Sequence, residues 1–387
     1  MGKKIAYCIP SLYIAGGMER VLTLKANYLA DQAGYEVYLI LTDGKDKTPW
    51  FPLSPRIKVI HLDLNFDSLW HLPLWKKGLV YLQKQRMYKK RLTQCLQQLK
   101  PDITISMMRR EINFINTIKD GSRKIGEIHV NRKNYRNFDD AARNPVKRIL
   151  QKMWMNQMLR KIKQLDKFIV LCNEDKEQYP ELNNIEAISN PLSFFPEQIT
   201  GTPSKQVLAV GRYEPQKGFD LLLRAWQQVQ RQHPDYTLAI YGAGDPAPYK
   251  RQAQELKIEE SCRFHAPVDH IAEKYMESEI FVLSSRFEGF GMVITEAMSC
   301  GVPSVSFACP CGPKDIIDNG KDGFLVENGD IDKLAERICF LIEHPEIRQQ
   351  MGIQARINAR RFQLENIMQQ WERLFDEVLK NRHSSSC

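Results

Sequence analysis

Short apolar runs alternate along the chain with longer stretches whose apolar positions recur at helical spacing, and the whole alternation occurs twice. In the first half the runs Lys4–Ile9, Glu36–Leu41, Lys58–His61, Asp102–Ser106, Lys124–Ile128 and Lys167–Leu171 predict strands. In the second, Gln206–Val210, Tyr236–Tyr241, Arg263–His265, Ile280–Leu283, Pro303–Ser306 and Phe324–Val326 repeat the arrangement. Strands that alternate with amphipathic helices build parallel, doubly wound sheets. The polar, proline-punctuated stretch from Asn190-Pro191 to Thr202-Pro203-Ser204 predicts a linker. The expected organisation is α/β, with two Rossmann-like domains over residues 1–190 and 205–362, joined through 191–204. Ile367, Trp371, Leu374, Phe375 and Val378 recur at helical spacing and predict a last helix over 363–380, with a frayed end at 381–387.

Length agrees with two domains, since 387 residues exceed one ordinary core. A hydrophobic content of 43% with 26% charged residues is that of a globular protein, and no apolar run reaches a membrane span. Lys3-Lys4 lead into a short apolar strand rather than a signal peptide, so a cytoplasmic protein is expected. The nine cysteines lie without a paired framework. Cys309 and Cys311 are too close for an easy disulfide and lack a second ligand pair, so reduced thiols are expected there rather than zinc.

The chemistry concentrates after the strand Ile280–Leu283. There Glu288-Gly289-Phe290-Gly291 leads into a helix that carries Glu296. A strand, a glycine turn and a helix N-terminus form an anion site, because backbone N–H groups and the helix dipole converge there. Carboxylates repel phosphate but accept hydrogen bonds from hydroxyls. Phosphate and polyol in one pocket points to a nucleotide sugar. Upstream, Gly211-Arg-Tyr-Glu-Pro-Gln-Lys-Gly218 joins the strand ending at Val210 to the next helix. It sets Arg212 at a strand end and Lys217 at a helix start, fixed positive charge of the kind a departing diphosphate needs. Gly242 and Gly244 satisfy a dinucleotide fingerprint with Ala247, but after the second strand of their domain, with Pro246 and Pro248 disturbing the helix start. In the first half Gly16-Gly17 would let backbone N–H groups approach a phosphate or an acceptor closely, and His129 ends the strand through Ile128.

The pair of motifs, Gly-Arg-x4-Lys-Gly and Glu-x7-Glu, resembles that of retaining glycosyltransferases of family 4, across essentially the whole chain. The resemblance implies the GT-B architecture, two Rossmann-like domains facing a central cleft with the last helix crossing back to the first domain. It implies transfer from a nucleotide diphosphate sugar, UDP-linked as is common in the family, with retention of configuration and no metal or other cofactor. Arg212 and Lys217 would hold the diphosphate, Glu288 the transferred sugar and Glu296 the ribose. Gly242 and Gly244 would lie beside the nucleotide, and the backbone of Gly289, Phe290 and Gly291 would orient the sugar. Gly16-Gly17, followed by Glu19-Arg20, matches a family Gly-Gly. His129 matches a family histidine in part, since Ile128 replaces the adjoining Glu, and would contact sugar or acceptor. Asp330-Ile-Asp332 matches the Asp-x-Asp metal motif of the other large transferase fold, but its setting before Leu334 and Ile338 is that of a helix cap.

Charge adds a partner. Residues 1–190 carry 33 Lys and Arg against 19 Asp and Glu, and the remainder 22 against 27. Between 76 and 163 the count is 23 to 6. Lys76, Lys77, Lys84, Arg86, Lys89, Lys90 and Arg91 lie among Leu79, Leu82, Met87 and Leu92, which suits a helix at an anionic membrane surface. The expected acceptor is a lipid-linked saccharide of capsule or O-antigen type, at the inner face of the plasma membrane. Two other readings use less of the chain. Nucleic-acid binding through the basic half lacks a known motif or a stacking platform, and an NAD-dependent oxidoreductase leaves Arg212, Lys217, Glu288 and Glu296 without roles.

Overall fold

The computed structural model describes residues 2–132, 145–199 and 204–380. The end at 381–387 and part of the 191–204 stretch lie outside the described residues. Contacts divide the chain into two compact units. One gathers Met1–Leu171, Lys176–Pro191 and Ile367–Cys387, the other Cys172–Asp175 and Leu192–Asn366.

The first unit is a seven-stranded sheet of β1 (Lys4–Ile9), β2 (Glu36–Leu41), β3 (Lys58–His61), β4 (Ile103–Ser106), β5 (Arg123–Glu127), β6 (Lys167–Val170) and β7 (Ile185–Ala187). Their order is β3-β2-β1-β4-β5-β6-β7, and every paired neighbour is parallel. The central strands read as unbroken apolar runs because both faces are covered: Ile5 through Ile9 are all fully buried. The helix Leu74–Leu99 buries Tyr88, Leu92 and Leu96 on the core. Leu92, grouped above with a surface face, is therefore a core residue. The opposite face, with Trp75, Leu79 and Leu82 at positions i, i+4 and i+7, is left in solvent. The last helix, Leu364–Lys380, buries Ile367, Trp371, Leu374, Phe375 and Val378. Its Asp376 and Glu377 pair with Lys3 and Lys167 of the same unit, each at 2.8 Å.

The second unit holds β8 (Gln206–Val210), β9 (Thr237–Tyr241), β10 (Cys262–His265), β11 (Ile280–Leu283), β12 (Ser304–Phe307) and β13 (Gly323–Val326). Their order, β10-β9-β8-β11-β12-β13, is again parallel throughout. Both sheets are doubly wound. In the second the order reverses between β8 and β11, which places a crevice at their carboxyl ends. Asp330 caps the helix Ile331–Glu343 by accepting from the Lys333 amide at 2.9 Å, the role its setting predicts. Pro246 and Pro248 do not disturb the helix after β9. The helix Ala247–Glu255 begins between them, in the first turn, where a missing N–H costs nothing.

Candidate functional site

Two loops meet at the reversal point of the second sheet, one after β8 and one after β11. The first runs through a short 3-10 turn, Pro215–Lys217, and turns into the helix Phe219–Gln232 at Gly218, whose φ is +62°. A Cβ there would lie 2.0 Å from the Ser284 carbonyl oxygen, so glycine is required both by conformation and by the approach of the second loop. The loops are stitched together over their length. Arg286 N–H donates to the Gln216 carbonyl at 2.8 Å, Gln216 Nε2 to the Phe287 carbonyl at 3.0 Å, and Ser284 Oγ to the Lys217 carbonyl at 2.9 Å. The Arg286 guanidinium grips Asp220 with both nitrogens, at 2.8 and 2.7 Å. That fork fixes geometry as well as charge, and holds the Asp220 carboxyl below its usual range.

The stitching brings Lys217 and Glu288 together. Lys217 Nζ donates to Glu288 Oε1 at 2.8 Å, and Ser285 Oγ donates to the same oxygen at 2.6 Å. The lysine side chain is 15% exposed and the carboxylate 7%, so the pair is reached by solvent on one side. Arg212 lies at the surface, paired with its neighbour Glu214 at 3.0 Å. Glu296 lies deeper, in the helix Met292–Ser299 that starts at Gly291. It accepts from Ser193 Oγ at 3.1 Å and from Tyr275 OH at 3.2 Å. Phe290 packs edge-on against Phe362, which holds the glycine turn from below, and the Glu288 amide donates to the Pro310 carbonyl at 3.1 Å.

Gly242 has a packing reason that owes nothing to a dinucleotide. A Cβ there would lie 1.8 Å from the Gly211 carbonyl oxygen, because the loops after β8 and β9 cross in contact. The Tyr213 amide donates to the Ala243 carbonyl at 2.8 Å just beyond, with Gly244 alongside.

In the first unit Gly16 caps the helix Gly17–Asp31, and the Glu19 side chain folds back over it. Burial raises the Glu19 carboxyl above its ordinary value. His129 follows β5, with Nε2 3.0 Å from Glu127 Oε1. Glu127 is bound in turn to Lys25, a partner 102 positions away. Sequence reasoning missed Ser193, Tyr275, Ser285, Arg286 and the Lys25–Glu127 pair. Arg286 alone carried a local signal, its place at the head of the glycine motif.

The geometry offers one cation beside one carboxylate at the mouth of a parallel sheet, a setting for an anionic ligand that also carries hydroxyls. Comparison with known proteins identifies the family. The family model for glycosyl transferases group 1 matches residues 194–358, the span that carries both loops. An uncharacterized glycosyltransferase of Haemophilus influenzae is 30% identical over 375 residues, which cover 96% of this chain and 99% of that protein. The poly(ribitol-phosphate) alpha-N-acetylglucosaminyltransferase of Staphylococcus aureus is 29% identical over 268 residues, 68% of this chain but only 52% of that longer enzyme. Among solved structures, an S. aureus TarM variant in complex with fondaparinux, alpha-GlcNAc-glycerol and UDP has a TM-score of 0.75 at 18% identity, covering 96% of this chain and 99% of that one. It shares the GT-B fold of two Rossmann-like, parallel-sheet units. With the likeness to the Haemophilus protein running the length of both chains and the family model centred on the two stitched loops, the chain belongs to the glycosyl transferases group 1 family and is a glycosyltransferase.

Proposed function

We propose that the protein is a family 4 enzyme that moves a sugar, with retention, from a UDP-linked donor to a lipid-linked oligosaccharide or polysaccharide precursor at the cytoplasmic face of the membrane. The observation that carries this reading is the 2.8 Å contact of Lys217 with Glu288 at the reversal point between β8 and β11. A diphosphate departing from a sugar builds negative charge on one oxygen, and a fixed cation lowers that barrier. The sugar's hydroxyls need an acceptor, and a carboxylate held by Ser285 supplies one. On this reading Lys217 gives up Glu288 for the diphosphate when the donor binds, and Arg212 joins it. Glu288 and the Gly289-Phe290-Gly291 backbone orient the sugar. Glu296 takes the ribose, and Gly242 and Gly244 lie beside the nucleotide. Gly16 and Gly17 offer amides to phosphate or acceptor, and His129 meets the saccharide. The leaving phosphate oxygen takes the acceptor's proton, so no separate base is required, and the charge of Lys217 and Arg212 stands where a metal ion would.

The donor class draws support from the UDP complex of the TarM variant, and the polymeric acceptor from the ribitol-phosphate polymer in the name of the Staphylococcus relative. The membrane reading draws support from the outer face of the helix Leu74–Leu99. On it Trp75 and Leu79 are 70% and 69% exposed, with Lys76 over the Trp75 ring, and in the 3-10 turn Phe66–His71 just before it Trp70 is 74% exposed, with Lys77 over its ring. Among the described residues no helix is long and apolar enough to cross a membrane. The test is a screen of UDP- and GDP-sugars for transfer and hydrolysis, with EDTA and with Mg²⁺. Turnover of a UDP-sugar that survives chelation is the expected result. Activity that vanished with EDTA and returned with Mg²⁺ would overturn the account of leaving-group stabilisation, and turnover of none would overturn the donor.

A further inference from the structure

We infer that Lys25 and Glu127 are positioning residues that present one nitrogen of His129 to the saccharide, a role that rests on the transferase reading above. Lys25 lies in the helix Gly17–Asp31, and Glu127 ends β5. Lys25 Nζ donates to both Glu127 oxygens at 2.7 Å, and each side chain is only 1% exposed. The ammonium lies 3.5 Å from the centroid of Trp371, on the last helix, and 5.8 Å from that of Tyr7. An aromatic face is a favourable neighbour for a desolvated cation. Four separate stretches of chain therefore converge on one ion pair.

The free side of the pair is His129. Its Nε2 lies 3.0 Å from Glu127 Oε1, and its side chain is 7% exposed. The titratable groups around the carboxylate are Lys25, His129 and Tyr7, and Glu19 faces His129 from the helix start with Arg109 beside it. Burial by itself would raise the Glu127 carboxyl, but Lys25 and then His129 hold it down to about 2. An ionised carboxylate only accepts hydrogen bonds, so His129 Nε2 carries the ring proton. Nδ1 is then the nitrogen left for a hydroxyl of the sugar or the acceptor. Lys25 makes so deep a carboxylate tolerable, since an unpaired buried charge is strongly destabilising. Trp371 in turn confines the lysine.

The test uses the full chain with ¹⁵N-labelled histidine, the His129 signals being assigned by their loss in His129→Ala. The expected spectrum is that of a ring protonated at Nε2. Because Glu127→Gln alone strands a buried lysine, the informative variant is the double change Lys25→Met with Glu127→Leu, which removes both charges together. It should lose the Nε2–H preference and lower kcat about tenfold, one hydrogen bond's worth in the transition state, while calorimetric UDP affinity stays unchanged. Placed on His129→Ala, the same double change should cost nothing further in kcat, because its effect runs through the ring. Independent, additive losses would reduce the pair to a structural role and overturn the inference, and so would a wild-type ring protonated at Nδ1. If His129→Ala turned over at the full rate, the positioning role would fall while the transferase reading stood. If the wild type turned over no nucleotide sugar, the proposed donor would fail, while an Nε2–H tautomer that depends on the pair would still establish the anchoring.

Discussion

The two units each hold a lysine against a glutamate at nearly the same distance, 2.7 Å for Lys25–Glu127 and 2.8 Å for Lys217–Glu288. Their surroundings make them different devices. The first pair is sealed, with an aromatic ring on the cation and a histidine on the carboxylate. The second lies at a loop mouth, and its lysine keeps a solvent-reached side. A sealed pair cannot exchange partners without stranding a charge, so it can only hold geometry. An accessible pair can trade its partner for a ligand of the same sign, because water covers the intermediate. The contrast teaches that contact distance says little about role, whereas access to solvent says a great deal.

The contrast is broken most directly by removing each lysine. Lys25→Met should cost about 3–5 kcal/mol of folding stability in urea, the usual consequence of unpairing a buried charge. Lys217→Ala should cost about 1–3 kcal/mol, since its partner keeps Ser285 and water. Equal losses would put both pairs in one class.

In turnover the order reverses. Lys217→Ala should lower the transfer rate on the order of 10²–10³-fold, by analogy with deleting one oxyanion donor. Glu288→Ala should damage transfer yet spare affinity for free UDP, while Glu296→Ala should chiefly weaken UDP binding, because the ribose changes little during the reaction. Calorimetric titration of both variants beside their turnover decides the assignment. Were Glu288→Ala the one to lose nucleotide affinity, the two carboxylates would have to exchange roles.

Acid tests the sealed pair by a third route. The Glu127 carboxyl falls from an ordinary 4.5 to about 2 in the folded protein. A depressed folded value means that the unfolded chain binds the proton first. The stability this group contributes is therefore complete above about pH 4.5 and is lost as pH falls toward about 2. In urea melts the stability of the wild type relative to the Lys25→Met, Glu127→Leu double variant should fall through that window. A gap between them that stayed constant from pH 6 to pH 2.5 would show that Glu127 is not the group titrating.

Much of this was legible in the sequence, and the rest was not for identifiable reasons. The central strands announced themselves because strands buried on both faces are continuous apolar runs. Strand β7, Ile185–Ala187, escaped because it spans three half-buried residues after two asparagines. Lys217 and Glu288 could be named from motif and strand end, but their contact depends on Gly218 admitting the Ser284 carbonyl, which no spacing reveals. Ser193 and Tyr275 reach Glu296 from elements with no motif at all. Lys25 read as an unremarkable lysine in an amphipathic helix. Its meaning arises only when the helix lays it over β5 beneath Trp371.

The smallest expected effects concern the basic helix, where the same distinction between committed and available charge applies. Seven cations there looked equivalent in the sequence, but two are spoken for. Lys84 donates to the Leu64 and Asn65 carbonyls, and Arg91 to those of Leu62 and Asp63, so both brace the loop after β3. Of the other five, Lys77 is half-buried over the Trp70 ring, and Lys76, Arg86, Lys89 and Lys90 are exposed beside Trp75, Leu79 and Leu82. A cation near an anionic surface contributes about 1 kcal/mol, screened by salt, and an apolar stripe adds area that salt does not screen. Co-sedimentation with vesicles containing phosphatidylserine should therefore weaken with added NaCl, and weaken about fivefold for each of Lys76, Lys89 and Lys90 changed to Gln. Trp75→Ala should lower binding at every salt concentration alike. Lys84→Gln should leave vesicle binding nearly intact and lower thermal stability instead. If Lys84→Gln released the protein from vesicles as strongly as Lys89→Gln, its carbonyl contacts would not be what holds it. If the wild type ignored anionic vesicles altogether, the exposed tryptophans would need a partner other than lipid.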